Sequence, residues 1–163
     1  MASDTLTTLA TIAGARLKAK GMLLACAESC TGGWVAQAVT AISGSSEWFE
    51  RGFVTYSNDA KIDMLGVAAE TLRHFGAVSE EAAREMAAGA LAHSKAQISV
   101  AITGVAGPAG GSPDKPVGMV CFAWAVQGGE VTAITKKFDG DRESVRRQSV
   151  ICALQGVIER VEG

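Results

Sequence analysis

The sequence has no excess of either charge: 15 lysines and arginines stand against 17 aspartates and glutamates, for a net charge of −2. That offers no cationic stripe to a nucleic-acid backbone, so no nucleic-acid partner is expected. It also has no long apolar run. The longest, Met119 to Val126, is eight residues, against the roughly 20 that a membrane span requires, so no membrane association is expected. The first residues carry Asp4 and no basic segment, so no secretory leader is expected and the cytoplasm is the expected compartment. Four cysteines, Cys26, Cys30, Cys121 and Cys152, form neither a C-x-x-C pair nor a dense framework. They read as reduced, mostly buried thiols, and no metal site is expected from them. There are two histidines: His74 in a connecting segment and His93 at the end of an alanine-rich helix. Neither stands beside a glycine turn, which argues against a Ser-His-Asp triad. Prolines number 3 against 19 glycines, and those glycines are clustered.

What is present is a chain of 163 residues, 48% apolar, long enough for one buried core and too short for most two-domain enzymes. Residues 1–163 are read as a single domain. Leu6, Leu9, Ala10, Ala13 and Leu17 fall at helical spacing, predicting a helix over 5–20 with Ser3 or Asp4 as its cap. Met22 to Ala27 is a continuous apolar run of the kind buried on both faces of a sheet. Beyond the glycines at 32 and 33, Trp34, Val35, Ala38, Val39 and Ile42 mark a second helix that stops at Gly44. Gly52 to Tyr56 predicts a strand, and Asn58 a helix cap for a segment ending at Gly66. Ser79, followed by Glu80 and Glu81, opens a helix that runs to about His93. Ile98 to Thr103 predicts another strand, followed by a loop with four glycines and two prolines between 104 and 113. Gly118–Val126 and Val131–Phe138 flank Gly128-Gly129 as a hairpin. A last helix starts near Asp141 and turns Val145, Ile151, Leu154, Ile158 and Val161 inward. Helix and buried strand alternate early and a hairpin comes late. This predicts an α/β fold: a three-layer α/β/α sandwich on a mixed, mostly parallel sheet with one late β-hairpin.

Three segments could carry chemistry. In Glu28-Ser29-Cys30-Thr31-Gly32-Gly33 a serine stands where a strand ends and a helix begins, with Thr31, Gly32 and Gly33 positioned to supply backbone N–H groups to an oxyanion. Capping of the following helix by Ser29 or Thr31 explains the same residues equally well. With a histidine base disfavoured, lysine is the other base that can serve a serine. Lys61 lies near the start of the helix after Tyr56, where the helix dipole disfavours its charge; a solvated lysine is the plainer alternative. The second segment, Thr103, Gly104 and the loop through Gly107 to Gly111, fits neither G-x-x-x-x-G-K-[ST] nor G-x-G-x-x-G. It still suits close approach of a ligand phosphate. Third, Arg142 and Arg146 are spaced four apart on one helix face, suited to phosphate or ribose contact or simply to solvation. Ser112-Pro-Asp-Lys115 matches S-x-x-K but stands in a loop without its companion motifs. Cys30 is a rival nucleophile without an evident histidine partner.

Taken together and in order, Ala27-Glu28-Ser29-Cys30-Thr31-Gly32-Gly33, Gly44-Ser45-Ser46, Arg51 to Asn58 with Lys61, Gly76-Ala77-Val78-Ser79, Thr103 to Pro108 and Lys115-Pro116-Val117-Gly118 resemble the CinA C-terminal domain family, the nicotinamide-nucleotide amidohydrolases. The likeness runs from about 5 to 160, in the form of the family's single-domain members, and departs from the common pattern at Thr103 and Ala109. It implies hydrolysis of the carboxamide of nicotinamide mononucleotide to nicotinic acid mononucleotide and ammonia, in pyridine nucleotide recycling. It also implies Ser29 as nucleophile, Lys61 as base and Tyr56 as a supporting residue, with no metal or other cofactor. The expected partners are this small-molecule substrate and further copies of the same chain, as a homo-oligomer. The competing expectation is a non-catalytic module that binds a pyridine nucleotide or a partner from the competence or DNA-damage machinery.

Overall fold

A computed structural model describes residues 2–161, with side chains from Thr5 onward. The elements are α1 (Ala2–Lys20), β1 (Leu24–Glu28), α2 (Trp34–Thr40), β2 (Phe49–Val54), α3 (Asn58–Leu65), α4 (Ala69–Phe75), α5 (Glu80–Ala92), β3 (Ile98–Gly104), β4 (Met119–Val126), β5 (Val131–Lys137) and α6 (Arg142–Val161), with a 3-10 turn at Ser45–Glu47. The strands lie in the order β2-β1-β3-β4-β5. β1 pairs in parallel with β2 and β3, and β4 pairs antiparallel with β3 and β5. Four strands therefore share one direction and β4 alone opposes them: a mixed, mostly parallel sheet with the expected late hairpin. Among the described residues no helix is long and apolar enough to cross a membrane.

Successive residues of a strand face opposite sides of the sheet, and here the two sides also differ in size. On one face β1, β3 and β4 present Leu24, Cys26, Ile98, Val100, Ile102, Val120, Phe122 and Trp124 to α1, α2 and α6. On the other they present Ala27, Ala101, Cys121, Ala123 and Ala125 to α5, with Leu65 of α3 and Leu72 of α4 closing the layer. The sheet is thus covered thickly on one side and thinly on the other, giving three layers. Small residues on the thin side let the helices approach closely: a Cβ added at Gly89 of α5 would stand 2.0 Å from the Leu65 carbonyl oxygen at the end of α3.

Several local expectations are corrected. β2 starts at Phe49 and ends at Val54 rather than spanning 52–56, because its ladder with β1 stops at the pair Glu28–Val54, where β1 turns out of the sheet. The cap of α3 is Ser57, whose hydroxyl accepts from the Ala60 N–H at 3.0 Å; Asn58 is the first helical residue. α4 was not expected at all. Its leading residue Ala68 has no side-chain cap, and Glu85 from α5 supplies one instead, accepting the Ala68 N–H at 2.8 Å and the Thr71 hydroxyl. In α6, Val145, Leu154 and Val161 are buried as expected, but Val150, Ala153 and Val157 turn inward while Ile151 and Ile158 are only half-buried. Gly156 explains the register: the indole of Trp124 lies 2.1 Å from where its Cβ would be, so this face of the helix is the one that meets the sheet. The proposed cap of α1 by Ser3 or Asp4 lies outside the described side chains.

Candidate active site

β1 carries the chain to Glu28, and at Ser29 it leaves the sheet in a tight turn. The Gly32 N–H donates to the Ser29 carbonyl at 3.1 Å and the Trp34 N–H to the Thr31 carbonyl at 3.0 Å. Gly32 and Gly33 have φ of 58° and 105°, conformations that glycine enters without the steric penalty of a Cβ. Neither Ser29 nor Thr31 caps α2 with its side chain. That role belongs to Glu28, 1% exposed. Its carboxylate accepts the N–H groups of Gly33 at 3.2 Å, Val35 at 2.9 Å and Ala36 at 3.1 Å, and the Thr31 hydroxyl at 2.7 Å. An acid at a helix N-terminus satisfies orphan donors and complements the dipole, which leaves the Ser29 hydroxyl available for other work.

That hydroxyl meets Lys61. α3 starts just past β2, and the fourth residue from its start sends its side chain inward under the serine. Lys61 is 1% exposed; its Nζ donates to Ser29 Oγ at 3.0 Å, to the Thr55 carbonyl at 2.9 Å and to the Tyr56 carbonyl at 3.3 Å. Burial lowers its pKa below the ordinary lysine range, with the nearby Cys30 acting weakly in the opposite sense. In the neutral amine two hydrogens satisfy the two carbonyls, and the lone pair is left facing the serine hydroxyl. This arrangement can deprotonate Ser29. The solvated-lysine alternative does not fit these positions.

Ser29 and Lys61 open onto a cavity of about 270 Å³, whose wall also includes Cys30, Asn58, Ala77, Val78, Thr103, Gly104, Ala106, Tyr56 and Arg142. Thr103 holds the wall together, its hydroxyl donating to the Ala77 carbonyl at 2.8 Å. Tyr56 is 65% exposed and stands at the mouth, where its hydroxyl receives Arg142 Nη2 at 3.4 Å. Arg142 also donates to the Gly107 carbonyl at 2.9 Å, and so fastens the glycine-rich loop to the start of α6. Arg142 and Ala106 are shared with a second, adjoining cavity of about 500 Å³ lined by Pro108, Val117 and the Gly140–Glu143 segment.

Some expected site residues are placed differently. Arg146 is outside both cavity walls; its guanidinium donates from Nε to the Cys30 carbonyl at 3.0 Å and from Nη2 to the Thr31 carbonyl at 3.2 Å. Gly107 contributes its carbonyl to Arg142 and does not line the cavity of Ser29 and Lys61. The Gly32 and Gly33 N–H groups, expected to face an oxyanion, are already taken by Ser29 and Glu28. Cys30 reaches the cavity, but burial pushes its thiol up to about 11, far from the thiolate a nucleophile needs. Outside the cavity, the Lys115 N–H donates to the Ser112 hydroxyl and Lys115 Nζ donates to the Phe75 carbonyl. His74 contacts Glu70, and His93 contacts the Gly89 carbonyl. No group of three or more His, Cys, Asp or Glu side chains among the described residues could hold a metal. Sequence reasoning assigned no role to Glu28; the available signal was an acid closing an apolar strand directly before a glycine turn and a helix.

Comparison with known proteins bears on what this cavity handles. The sequence model of the CinA C-terminal domain matches residues 6–161. The nicotinamide-nucleotide amidohydrolase PncC of Escherichia coli strain K12 is 57% identical over 142 residues, 87% of this chain and 86% of that protein. The protein of the same name from Pseudomonas putida is 51% identical over 156 residues, 96% of this chain and 97% of its own. The crystal structure of the competence/damage inducible protein CihA from Agrobacterium tumefaciens superposes with a TM-score of 0.93 at 47% identity, covering 95% of this chain and 94% of that one.

Proposed function

Because this chain belongs to the CinA C-terminal domain family, we propose that it acts as its nicotinamide-nucleotide amidohydrolase relatives are named for, cleaving the carboxamide of nicotinamide mononucleotide to nicotinic acid mononucleotide and ammonia, as a step in pyridine nucleotide recycling. The observation that carries the mechanism is the buried Lys61 amine 3.0 Å from Ser29 Oγ. Ser29 attacks the carboxamide carbon as its proton passes to Lys61 Nζ. The tetrahedral adduct then collapses: the C–N bond breaks, the lysine ammonium returns its proton to the leaving nitrogen, and ammonia departs from an acyl-serine ester. Water, deprotonated by the regenerated amine, attacks the ester. The C–O bond to Ser29 breaks, the serine regains its proton, and the free acid leaves.

Ala77, Val78 and Ala106 supply the apolar wall a pyridine ring requires, and Arg142 stands where the ribose phosphate would emerge. The Tyr56 side chain supports the mouth through Arg142, while its carbonyl accepts from the Ser29 hydroxyl at 3.5 Å and from Lys61 Nζ at 3.3 Å. Ammonia release from nicotinamide mononucleotide, nicotinamide and nicotinamide dinucleotide tests the reading. The mononucleotide is turned over, and Ser29→Ala and Lys61→Met each lower kcat by about 10⁶-fold, the size seen when the nucleophile or the base of such a unit is removed. Tight binding of the mononucleotide with no ammonia released would identify a binding module instead.

A further inference from the structure

We infer that Lys115 is a positioning residue for substrate binding, a strap that holds the segment 75–78 in place as one wall of the Ser29 cavity. The inference rests on the reading of that cavity proposed above, in which Ala77 and Val78 face the pyridine ring. The segment joins α4 to α5, and its first three carbonyls are each taken by a different side chain. Lys115 Nζ donates to the Phe75 carbonyl, the Ser79 hydroxyl to that of Gly76 at 2.8 Å and the Thr103 hydroxyl to that of Ala77 at 2.8 Å. Ser79 caps α5 and Thr103 belongs to β3, so two of the three anchors are parts of regular elements. Lys115 alone comes from a loop, the glycine-rich connection between β3 and β4.

α4 needs such an anchor. None of its side chains is fully buried, so packing fixes it weakly and it is fastened by its ends. Glu85 caps the first turn. At the other end the Phe75 carbonyl is one of the last-turn groups without a partner inside the helix, and a lysine ammonium is a suitable donor to it. Glu80 and Glu81 line the same cleft as Lys115, yet the ammonium donates to the carbonyl. Gly76 leaves space for it: φ there is 79°, and a Cβ would stand 2.9 Å from Nζ. The loop that bears Lys115 is fastened on its other side by Arg142, through the Gly107 carbonyl at 2.9 Å. Wall and loop are thereby fixed to one another before substrate arrives. A preformed wall spares the bound ring the entropy of ordering it, a gain made equally in the ground state and in the transition state.

Steady-state ammonia release from nicotinamide mononucleotide and amide hydrogen exchange test the strap together. Lys115→Met should raise KM and the inhibition constant of nicotinic acid mononucleotide about tenfold with kcat within about 3-fold of wild type, the pattern of lost uniform binding. It should also speed exchange in the peptide spanning 69–79 and leave that of α3 unchanged. Lys115→Arg keeps a charged donor and recovers most of the affinity. Gly76→Ala, which drives a Cβ at Nζ with Lys115 intact, gives the same pattern and is the variant read if circular dichroism shows Lys115→Met unfolded. A fall in kcat with KM unchanged would overturn the inference, and so would unaltered exchange over 69–79. Faster exchange with a wild-type KM would overturn it as well, by showing that Lys115 steadies α4 without serving the cavity. If the wild-type protein releases no ammonia, the functional reading fails, and exchange over 69–79 still decides whether Lys115 holds the wall.

Discussion

Lys61 places an ammonium-forming group at the buried end of the cavity, only 1% exposed, and its three hydrogen-bond directions are all occupied. Burial favours the neutral amine, so the free base is populated at a pH below the usual lysine range and the acid limb of the pH–rate profile lies there as well. The same displacement has a sign for stability. The native state holds its Lys61 proton less tightly than the unfolded chain, so between the lowered native value and about 10.4 the unfolded chain binds more protons and stability rises with pH. Below that window the penalty for a buried charge is fully present; above it the penalty is gone. The unfolding free energy of wild type minus that of Lys61→Met should therefore climb with pH through the window and level off above it, as measured by urea denaturation at a series of pH values. A flat difference would mean that the lysine is solvated.

The placement of Lys61 depends on α3, and the placement of α3 depends on one close approach. The Gly89 Cβ position lies 2.0 Å from the Leu65 carbonyl oxygen, so Gly89→Ala has to push α3 off α5. Overpacking of this kind costs about 1–3 kcal/mol, and the displaced end is on the helix that delivers Nζ to the serine. The variant should lose thermal stability and more than about tenfold in kcat, since misplacing a catalytic group by about 1 Å costs that much or more; a variant with lowered Tm and wild-type kcat would show that α3 moves without carrying Lys61.

At this scale the sequence was informative where interactions are local and silent where they are not. The strand runs, the glycine turn after Ser29, the Ser79 cap and the Gly128-Gly129 hairpin are all set by neighbours in the chain. α4 escaped notice because its cap comes from Glu85, on another helix. Glu28 escaped for a related reason, since a lone acid has no periodicity to betray it. The spacing of Arg146 from Arg142 marks it as a candidate but does not reveal its contacts, because the carbonyls it meets lie 115 and 116 positions away. Ser29 and Lys61 were legible as separate candidates; that the amine is buried and within 3.0 Å of the hydroxyl depends on β1 and β2 being sheet neighbours, which puts both strand ends at one edge.

Across the whole molecule, the proposed Ser29–Lys61 pair bridges the two helical layers. Ser29 is held from the thick side, through Glu28 to α2 and through Arg146 on α6, whereas Lys61 arrives from the thin side on α3. The three tryptophans all belong to the thick side: Trp48 and Trp124 are buried in its core cluster and Trp34 packs against that cluster. Local unfolding favours units with few buried apolar contacts, and the thin layer, built on alanine, is the weaker of the two. Activity in rising urea should therefore disappear before tryptophan fluorescence changes. Coincident loss of both signals would show that the layers unfold as one unit.

The contrast between the layers also determines what kind of sequence change each can absorb. On the thick face, Trp124, Phe122 and Leu154 have volume to lose, and truncating any of them opens a cavity. On the thin face, Ala83, Ala87, Ala90, Ala101, Ala123 and Ala125 have almost nothing to remove. A survey of tolerated substitutions should show the two faces failing in opposite directions, one when side chains shrink and the other when they grow, so that drift in size at the alanine positions would reach the lysine long before it threatened the fold.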